Sequence, residues 1–143
     1  MKFWDASAVV PLCVQEHFSD AAQEILTNDP LMVVWWGTRT ECISALMRQT
    51  REGNLAPVAE RAARHVLHAL MQTWIEMQPS EALRSTAERL LAVHPLRTAD
   101  ALQLAAAILW CEGLTTGQSL VSLDRRLGDA GYREGFTVLP EAF

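Results

Sequence analysis

Four acidic residues of this sequence stand where apolar runs give way to helix starts: Asp5, Glu41, Asp100 and Asp124. In a parallel sheet wound with helices, the carboxyl ends of the strands and the starts of the helices share one edge, so the four carboxylates would meet there. A cluster of like charges is costly unless a cation holds it together. Carboxylate oxygens suit Mg²⁺ or Mn²⁺, and such a site favours phosphodiester hydrolysis.

Each of these acids also has a purely structural explanation, because a helix start favours an anion. Asp5 and Asp124 could each cap the turn that follows them. Glu41 could pair with Thr38 in a capping box, and Asp100 lies in a first helical turn. The combination favours a shared site, because an acid follows the first, second and fourth predicted strands and another begins a buried helix.

The elements that must position these acids follow from apolar patterning and turn residues. Strands are predicted at residues 2–4, 31–36, 119–123 and 136–139. Helices alternate with them, which predicts an α/β fold with a central, mostly parallel sheet of four to five strands. The stretch from about 55 to 94 predicts helices without a strand, and therefore an inserted helical hairpin. The whole chain, 1–143, is predicted to be a single domain.

Three helix starts are predicted from their capping residues. Thr38 is expected to cap the helix that contains Glu41, and Thr98 is expected to cap a helix over 99–112. Pro57 suits the first turn of a third helix, which is expected to run to about Met77.

Composition excludes several classes of protein. Half of the 143 residues are hydrophobic, which excludes a disordered chain. No apolar run approaches the roughly 20 residues that span a bilayer, so a cytoplasmic protein without a membrane segment is expected. Three widely separated cysteines without Cys-x-x-Cys spacing predict free thiols. The net charge of −5 argues against a general nucleic-acid-binding protein, although two bound divalent cations would cancel most of it.

Four segments that contain the acids have a recognisable sequence: Asp5-Ala6-Ser7-Ala8, Thr40-Glu41, Leu96 to Ala107, and Leu120 to Asp124. In this order and spacing they resemble the PIN-domain ribonucleases, and most closely the VapC-type toxins of type II toxin–antitoxin systems. The resemblance covers essentially the whole chain. The stretch 98–107 is its most specific part, because Asp-x-Ser alone is a weak motif.

The resemblance implies a metal-dependent endoribonuclease. Asp5, Glu41 and Asp100 would bind Mg²⁺ or Mn²⁺ directly, and Asp124 would complete the pocket through water or a second metal ion. An activated water would attack the phosphorus of an RNA phosphodiester and leave a 5′-phosphate and a 3′-hydroxyl.

The resemblance also assigns roles around the acids. Ser7 and Ser122 match small hydroxyl positions that line the pocket. Arg125 and Arg126 could contact RNA phosphate, although a solvated turn explains them equally well. Asp129 matches only loosely the further acid that family members carry after the fourth. The expected partners are an RNA substrate, a cognate VapB-type antitoxin whose C-terminal segment lies across the pocket, and a second copy of the chain.

Two other functional classes remain open from the sequence. A catalytically inactive PIN-like interaction module would have the same fold without the reaction. An acid-pocket phosphatase of the haloacid-dehalogenase type or a response-regulator receiver would need a second acid or threonine two residues after Asp5, or an acidic pair before it, together with a late lysine. This chain has Asp5-Ala6-Ser7 and a single lysine, Lys2, so neither pattern is present.

Overall fold

A computed structural model describes residues 1–141, and the predicted single domain extends two residues beyond this range. In chain order the described elements are β1 (Lys2–Trp4), α1 (Ala6–Cys13), α2 (Ser19–Asn28), β2 (Met32–Trp35), α3 (Thr38–Arg51), α4 (Pro57–Met71), β3 (Ile75–Met77), α5 (Glu81–Val93), α6 (Thr98–Trp110), β4 (Ser119–Val121), α7 (Arg125–Arg133) and β5 (Thr137–Leu139).

The five strands form one sheet in the order β3-β2-β1-β4-β5, and every neighbouring pair is parallel. Phe3 of the central strand pairs with Val33 of β2 on one side and with Leu120 of β4 on the other. The predicted α/β fold with a mostly parallel sheet is therefore confirmed. From β1 the chain adds β2 and β3 toward one edge of the sheet, and it then adds β4 and β5 toward the other edge. The strand order therefore reverses between β1 and β4, and ligands bind at such a point in open α/β sheets.

The sheet lies between two layers of helices. Phe3 and Val33 pack with α5, α6 and α7, whereas their neighbours Trp4 and Val34 pack with α1 to α4. Successive side chains of a strand point to opposite faces, so strands covered on both faces are apolar throughout. This explains why the predicted strand around β2 reads as one continuous apolar run.

The prediction of an inserted helical hairpin without a strand at about 55–94 is wrong. Helix α4 ends at Met71, and Ile75–Met77 form the edge strand β3, which pairs in parallel with β2. Helices α3 and α4 are thus the crossover between two neighbouring strands. Three residues are too few to show a period, and the partner segment lies about 40 residues earlier in the chain, so local patterning does not reveal this strand.

The helix starts differ from the predicted caps at two places. Helix α3 begins at Thr38 itself after Gly37, and helix α6 begins at Thr98 after Arg97; neither start has a side-chain cap. The capping box fails because the Thr38 side chain is fully buried and bonded to another helix. The predicted range of 99–112 for α6 is off by one residue at its start and by two at its end. Among residues 1–141, no helix combines the length and apolar character needed to cross a membrane.

Candidate active site

All four predicted acids line one pocket of about 460 Å³ at the carboxyl edge of the sheet. The lining residues are Asp5, Ala6, Ser7, Val10, Thr40, Glu41, Ser44, Ala45, Arg48, Asp100 and Asp124. Asp5 follows β1 directly, and Asp124 follows β4, the neighbouring strand. Glu41 and Asp100 lie in the first turns of α3 and α6. The expected meeting of the four side chains at one edge therefore occurs.

Asp5 is buried and is held through one of its two carboxylate oxygens. Its Oδ2 accepts hydrogen bonds from the hydroxyl of Ser7, from the Ser7 backbone N–H at 3.3 Å and from the hydroxyl of Ser122 at 3.0 Å. The backbone N–H of Leu123 donates to Ser7 Oγ at 2.8 Å, which fixes that hydroxyl in turn. Within residues 1–141, Oδ1 accepts no hydrogen bond, so this second oxygen remains free for a ligand.

The two serines predicted as pocket hydroxyls occupy different places. Ser7 lines the pocket, whereas Ser122 is fully buried behind Asp5 and is absent from the lining. Ser122 Oγ also accepts a hydrogen bond from the backbone N–H of Asp124 at 3.1 Å. It therefore connects the two acids that follow the adjacent strands β1 and β4.

Glu41 is held by Gln103, a residue for which the sequence suggested no role. The side-chain amide Nε2 of Gln103 donates to Glu41 Oε1 at 3.0 Å and to Thr38 Oγ1 at 3.0 Å. Gln103 and Thr38 are both fully buried. The signal that could have identified Gln103 is its position as a lone amide in an otherwise apolar stretch of helix.

Burial and like charge make three of the pocket acids hard to ionise. Burial raises the pKa of Asp5 to about 6, against the two serine hydrogen bonds and with a further contribution from Asp124 and Asp100. Burial and the charge of Asp5 raise the pKa of Glu41 to about 7, partly offset by Gln103. The pKa of Asp100 is also raised, first by burial and then by Asp124. A bound cation would relieve this repulsion.

Asp124 also has the capping role considered above. Its Oδ1 accepts a hydrogen bond from the backbone N–H of Leu127 at 2.9 Å, and Asp5 likewise caps α1. The structural explanation and the shared pocket are thus compatible, because a cap uses only one carboxylate oxygen.

Three further candidate residues lie outside the pocket lining. Arg125 and Asp129 line a different groove of about 990 Å³ beside α7 and β5. Arg126 is exposed, and its charge favours the ionised form of Asp100. Within the described part of the chain, the one cationic side chain that lines the acid pocket is Arg48. Its spacing of seven residues from Glu41 places both on one helix face, a signal that the sequence analysis missed.

The donor set fits a hard divalent cation in chemistry, although not as a ready-made cluster. No group of three or more His, Cys, Asp or Glu side chains in residues 1–141 is arranged to hold a metal ion as it stands. However, four oxygen donors share the pocket, and the free oxygen of Asp5 has no protein partner there. Mg²⁺ and Mn²⁺ prefer such donors and commonly keep several waters, so a partial set suffices.

Two solved structures share this fold over nearly their whole length. The toxin VapC20 of Mycobacterium tuberculosis, described as cleaving the sarcin–ricin loop, has a TM-score of 0.68 and 18% sequence identity over 99% of this chain and 98% of its own. PAE2754 from Pyrobaculum aerophilum has a TM-score of 0.66 and 21% identity over 96% of this chain and 88% of its own. No protein-family model and no curated protein matches the sequence. The chain therefore has a PIN-like fold of the VapC type.

Proposed function

We propose that this protein is a Mg²⁺- or Mn²⁺-dependent endoribonuclease that acts as a VapC-type toxin. The observation that carries the proposal is the gathering of four carboxylates in one pocket without a matching set of protein cations. The shared fold with a toxin described as cleaving the sarcin–ricin loop supports the same function. Similar folds host unrelated functions, so the pocket carries more weight than the fold.

The roles of the acids follow from their positions. Asp5, Glu41 and Asp100 would hold the cation, and Asp124 would complete the pocket. When bound, the cation would polarise a phosphoryl oxygen and lower the pKa of a water molecule. Ser7 and Ser122 occupy one oxygen of Asp5 and thereby direct its other oxygen toward the pocket.

The reaction consumes one water for each bond that is broken. The water oxygen forms a bond to the phosphorus of an RNA phosphodiester, and the bond from phosphorus to the 3′ oxygen breaks. One water proton ends on that oxygen, so the products are a 3′-hydroxyl and a 5′-phosphate. The other proton arrives with the water oxygen on the new 5′-phosphate and is released to solvent as that group ionises. Burial raises the pKa of Asp5 and of Glu41 in the cation-free pocket, but as cation ligands both would act as carboxylates.

The proposed partners follow from the toxin assignment. A cognate VapB-type antitoxin would neutralise the protein in the cytoplasm, and an antitoxin arginine placed in the pocket would oppose cation and substrate by charge. The chain is also proposed to form a homodimer. Light scattering of the purified protein tests the dimer, and a monomer mass at micromolar concentration contradicts it.

Two rival functions can be weighed against the structure. An inactive PIN-like interaction module would have the same fold and the same pocket without the cleavage reaction, so only an activity measurement distinguishes it from the proposed enzyme. A receiver or haloacid-dehalogenase type of site is disfavoured, because Lys2 donates to Asp29 at 3.1 Å and does not line the pocket.

An RNA cleavage assay tests the proposal. Wild type, Asp5→Asn and Asp100→Asn are compared in Mg²⁺, in Mn²⁺ and in chelator, with Asp129→Asn as the matched control because this exposed acid lies outside the pocket. We expect both pocket variants and chelation to reduce cleavage by about 100-fold or more, because loss of a residue that only supports a metal ligand already costs about 10–100-fold. The control should cleave like wild type.

Expression without an antitoxin should arrest growth, and Asp5→Asn should relieve the arrest. Cleavage that survives both pocket substitutions and chelation would contradict the metal–carboxylate mechanism. Wild-type protein that neither cleaves RNA nor arrests growth would support the interaction module instead.

A further inference from the structure

Gln103 is an unusual residue for its location. Most positions of helix α6 from Ala101 to Ile108 are buried, and they carry alanine or larger aliphatic side chains. Gln103 is the one polar residue among these buried positions. Its side chain is fully removed from solvent. A buried amide is costly unless its donors and acceptor are satisfied, so its partners should reveal why it is there.

Those partners belong to helix α3 and include a pocket acid. Nε2 of Gln103 lies 3.0 Å from Thr38 Oγ1 and 3.0 Å from Glu41 Oε1, so both amide hydrogens are used. The Thr38 hydroxyl lies 3.4 Å from the amide oxygen. Thr38 and Glu41 are three residues apart and therefore share one face of α3. The amide thus joins two helices at the floor of the pocket.

The contact leaves one carboxylate oxygen of Glu41 free, as the serine hydrogen bonds do for Asp5. Oε1 of Glu41 is occupied by the amide, whereas Oε2 accepts no hydrogen bond in the described residues. In both acids one oxygen is held by an uncharged donor and the other remains free. An uncharged donor orders the carboxylate without neutralising it, whereas an arginine or lysine in that place would compete with a cation.

We propose that Gln103, supported by Thr38, is a positioning residue that holds the Glu41 carboxylate ready for a divalent cation. This inference rests on the proposed function and deepens it. Gln103 itself does not touch the substrate; it acts through Glu41. The competing explanation is that the amide merely ties α6 to α3, in which case its loss would lower stability and leave cation binding unchanged.

Mn²⁺ binding measured by titration calorimetry separates the two explanations. Gln103→Leu should raise the Mn²⁺ dissociation constant about tenfold, which is within the range found for residues that orient metal ligands. Thr38→Val removes the hydroxyl at constant size, and Thr38→Ser retains it. We expect a severalfold higher dissociation constant for Thr38→Val and a wild-type value for Thr38→Ser. Urea unfolding without metal is measured on the same variants.

Leu104→Ala serves as the control for stability, because it truncates a fully buried side chain of the same helix that belongs to the apolar core cluster of Phe3 and Leu120. It should unfold at lower urea concentration and bind Mn²⁺ like wild type. If Gln103→Leu behaves like Leu104→Ala, the positioning role is overturned and the structural tie remains. If Gln103→Leu does not fold, equal Mn²⁺ binding by Thr38→Val and Thr38→Ser overturns it.

The outcomes also distinguish this inference from the proposed function. Wild-type protein that binds no Mn²⁺ and cleaves no RNA overturns the proposed function, and this inference with it. Wild-type protein that binds Mn²⁺ as tightly as Gln103→Leu overturns the inference alone.

Discussion

Two carboxylate settings of this molecule can be compared, one at the starts of helices and one at their ends. In the pocket, four acids lie at helix starts, and burial together with neighbouring like charge raises the pKa values of three of them, Asp5, Glu41 and Asp100. At the other end, Glu134 follows α7 and meets His94, which follows α5: His94 Nε2 lies 2.7 Å from one oxygen, and Arg89 donates to the other at 3.1 Å. Burial opposes the charge of Glu134, but these two partners outweigh burial and lower its pKa.

The difference between the two settings separates function from stability. The helix-end cluster of Glu134, His94 and Arg89 satisfies its carboxylate within the chain, so it can stabilise the fold without a ligand. The pocket leaves its carboxylates without a cationic partner in the ligand-free state, at a cost to stability that a bound cation would remove. Residues with perturbed pKa values in a cleft are typical of functional sites.

The largest expected effect is an opposite response of the two settings to pH. For Asp5 the pKa rises from 3.8 in the unfolded chain to about 6 in the folded protein. Its stabilising contribution is therefore complete below pH 4 and is lost as pH rises through 6, a change on the order of 3 kcal/mol. Glu41 acts in the same direction up to about pH 7. Metal-free protein should unfold at lower urea concentration at pH 8 than at pH 5.

Asp5→Asn should flatten this pH dependence, because the side chain no longer ionises. Mg²⁺ added at pH 8 should raise the stability of the wild-type protein but not that of Asp5→Asn. Urea denaturation in chelator at four or five pH values measures both. Parallel pH profiles for wild type and Asp5→Asn would contradict the burial argument.

A smaller effect is expected when the compensated carboxylate is neutralised. Glu134→Gln should lower the free energy of unfolding at pH 7 by about 1.5–3 kcal/mol, as loss of hydrogen bonds to a charged group does. Because the folded protein lowers the pKa of Glu134, the loss should shrink as pH falls below the pKa of the unfolded chain. RNA cleavage should be unchanged. Glu24→Gln, at an exposed position on α2, is the control, and equal losses in the two variants would show that the cluster contributes nothing.

The smallest expected effect concerns the cation that lines the pocket. Arg48 forms no ion pair with any residue of the range 1–141, so its guanidinium is free to contact an RNA phosphate. In an Asp5→Asn background that prevents cleavage, Arg48→Ala should weaken RNA binding about fivefold and reduce the salt dependence by about one charge. Arg51→Ala, from the same last turn of α3 but outside the pocket, is the control. Fluorescence anisotropy at several salt concentrations measures the binding. Equal RNA binding by the two variants would refute the contact.

Local patterning was sufficient for most of the fold and for the acids. The apolar run of β2, the buried α6 and the acids after β1 and β4 each depend on a few neighbouring residues, so the alternation of strands and helices could be predicted. The edge strand β3 could not, because Ile75–Met77 is too short to show a period and is defined by its pairing with β2.

The limits of the site prediction have the same physical origin. Arg125 and Asp129 are close in sequence to Asp124, yet the turn of α7 directs them to another groove. Arg48 is seven residues from Glu41, yet helical geometry returns it to the pocket. Proximity in sequence therefore does not show which cation lines the acid pocket.

By itself, the sequence determined where each acid stands on its own strand or helix, because strand alternation, helix starts and turns are local properties. Only the tertiary structure decided which side chains share a pocket and what satisfies them. Gln103 reaches Glu41 across 62 residues of chain, and Ser122 reaches Asp5 across 117. Such contacts arise from the packing of distant elements around the sheet, which no local pattern encodes.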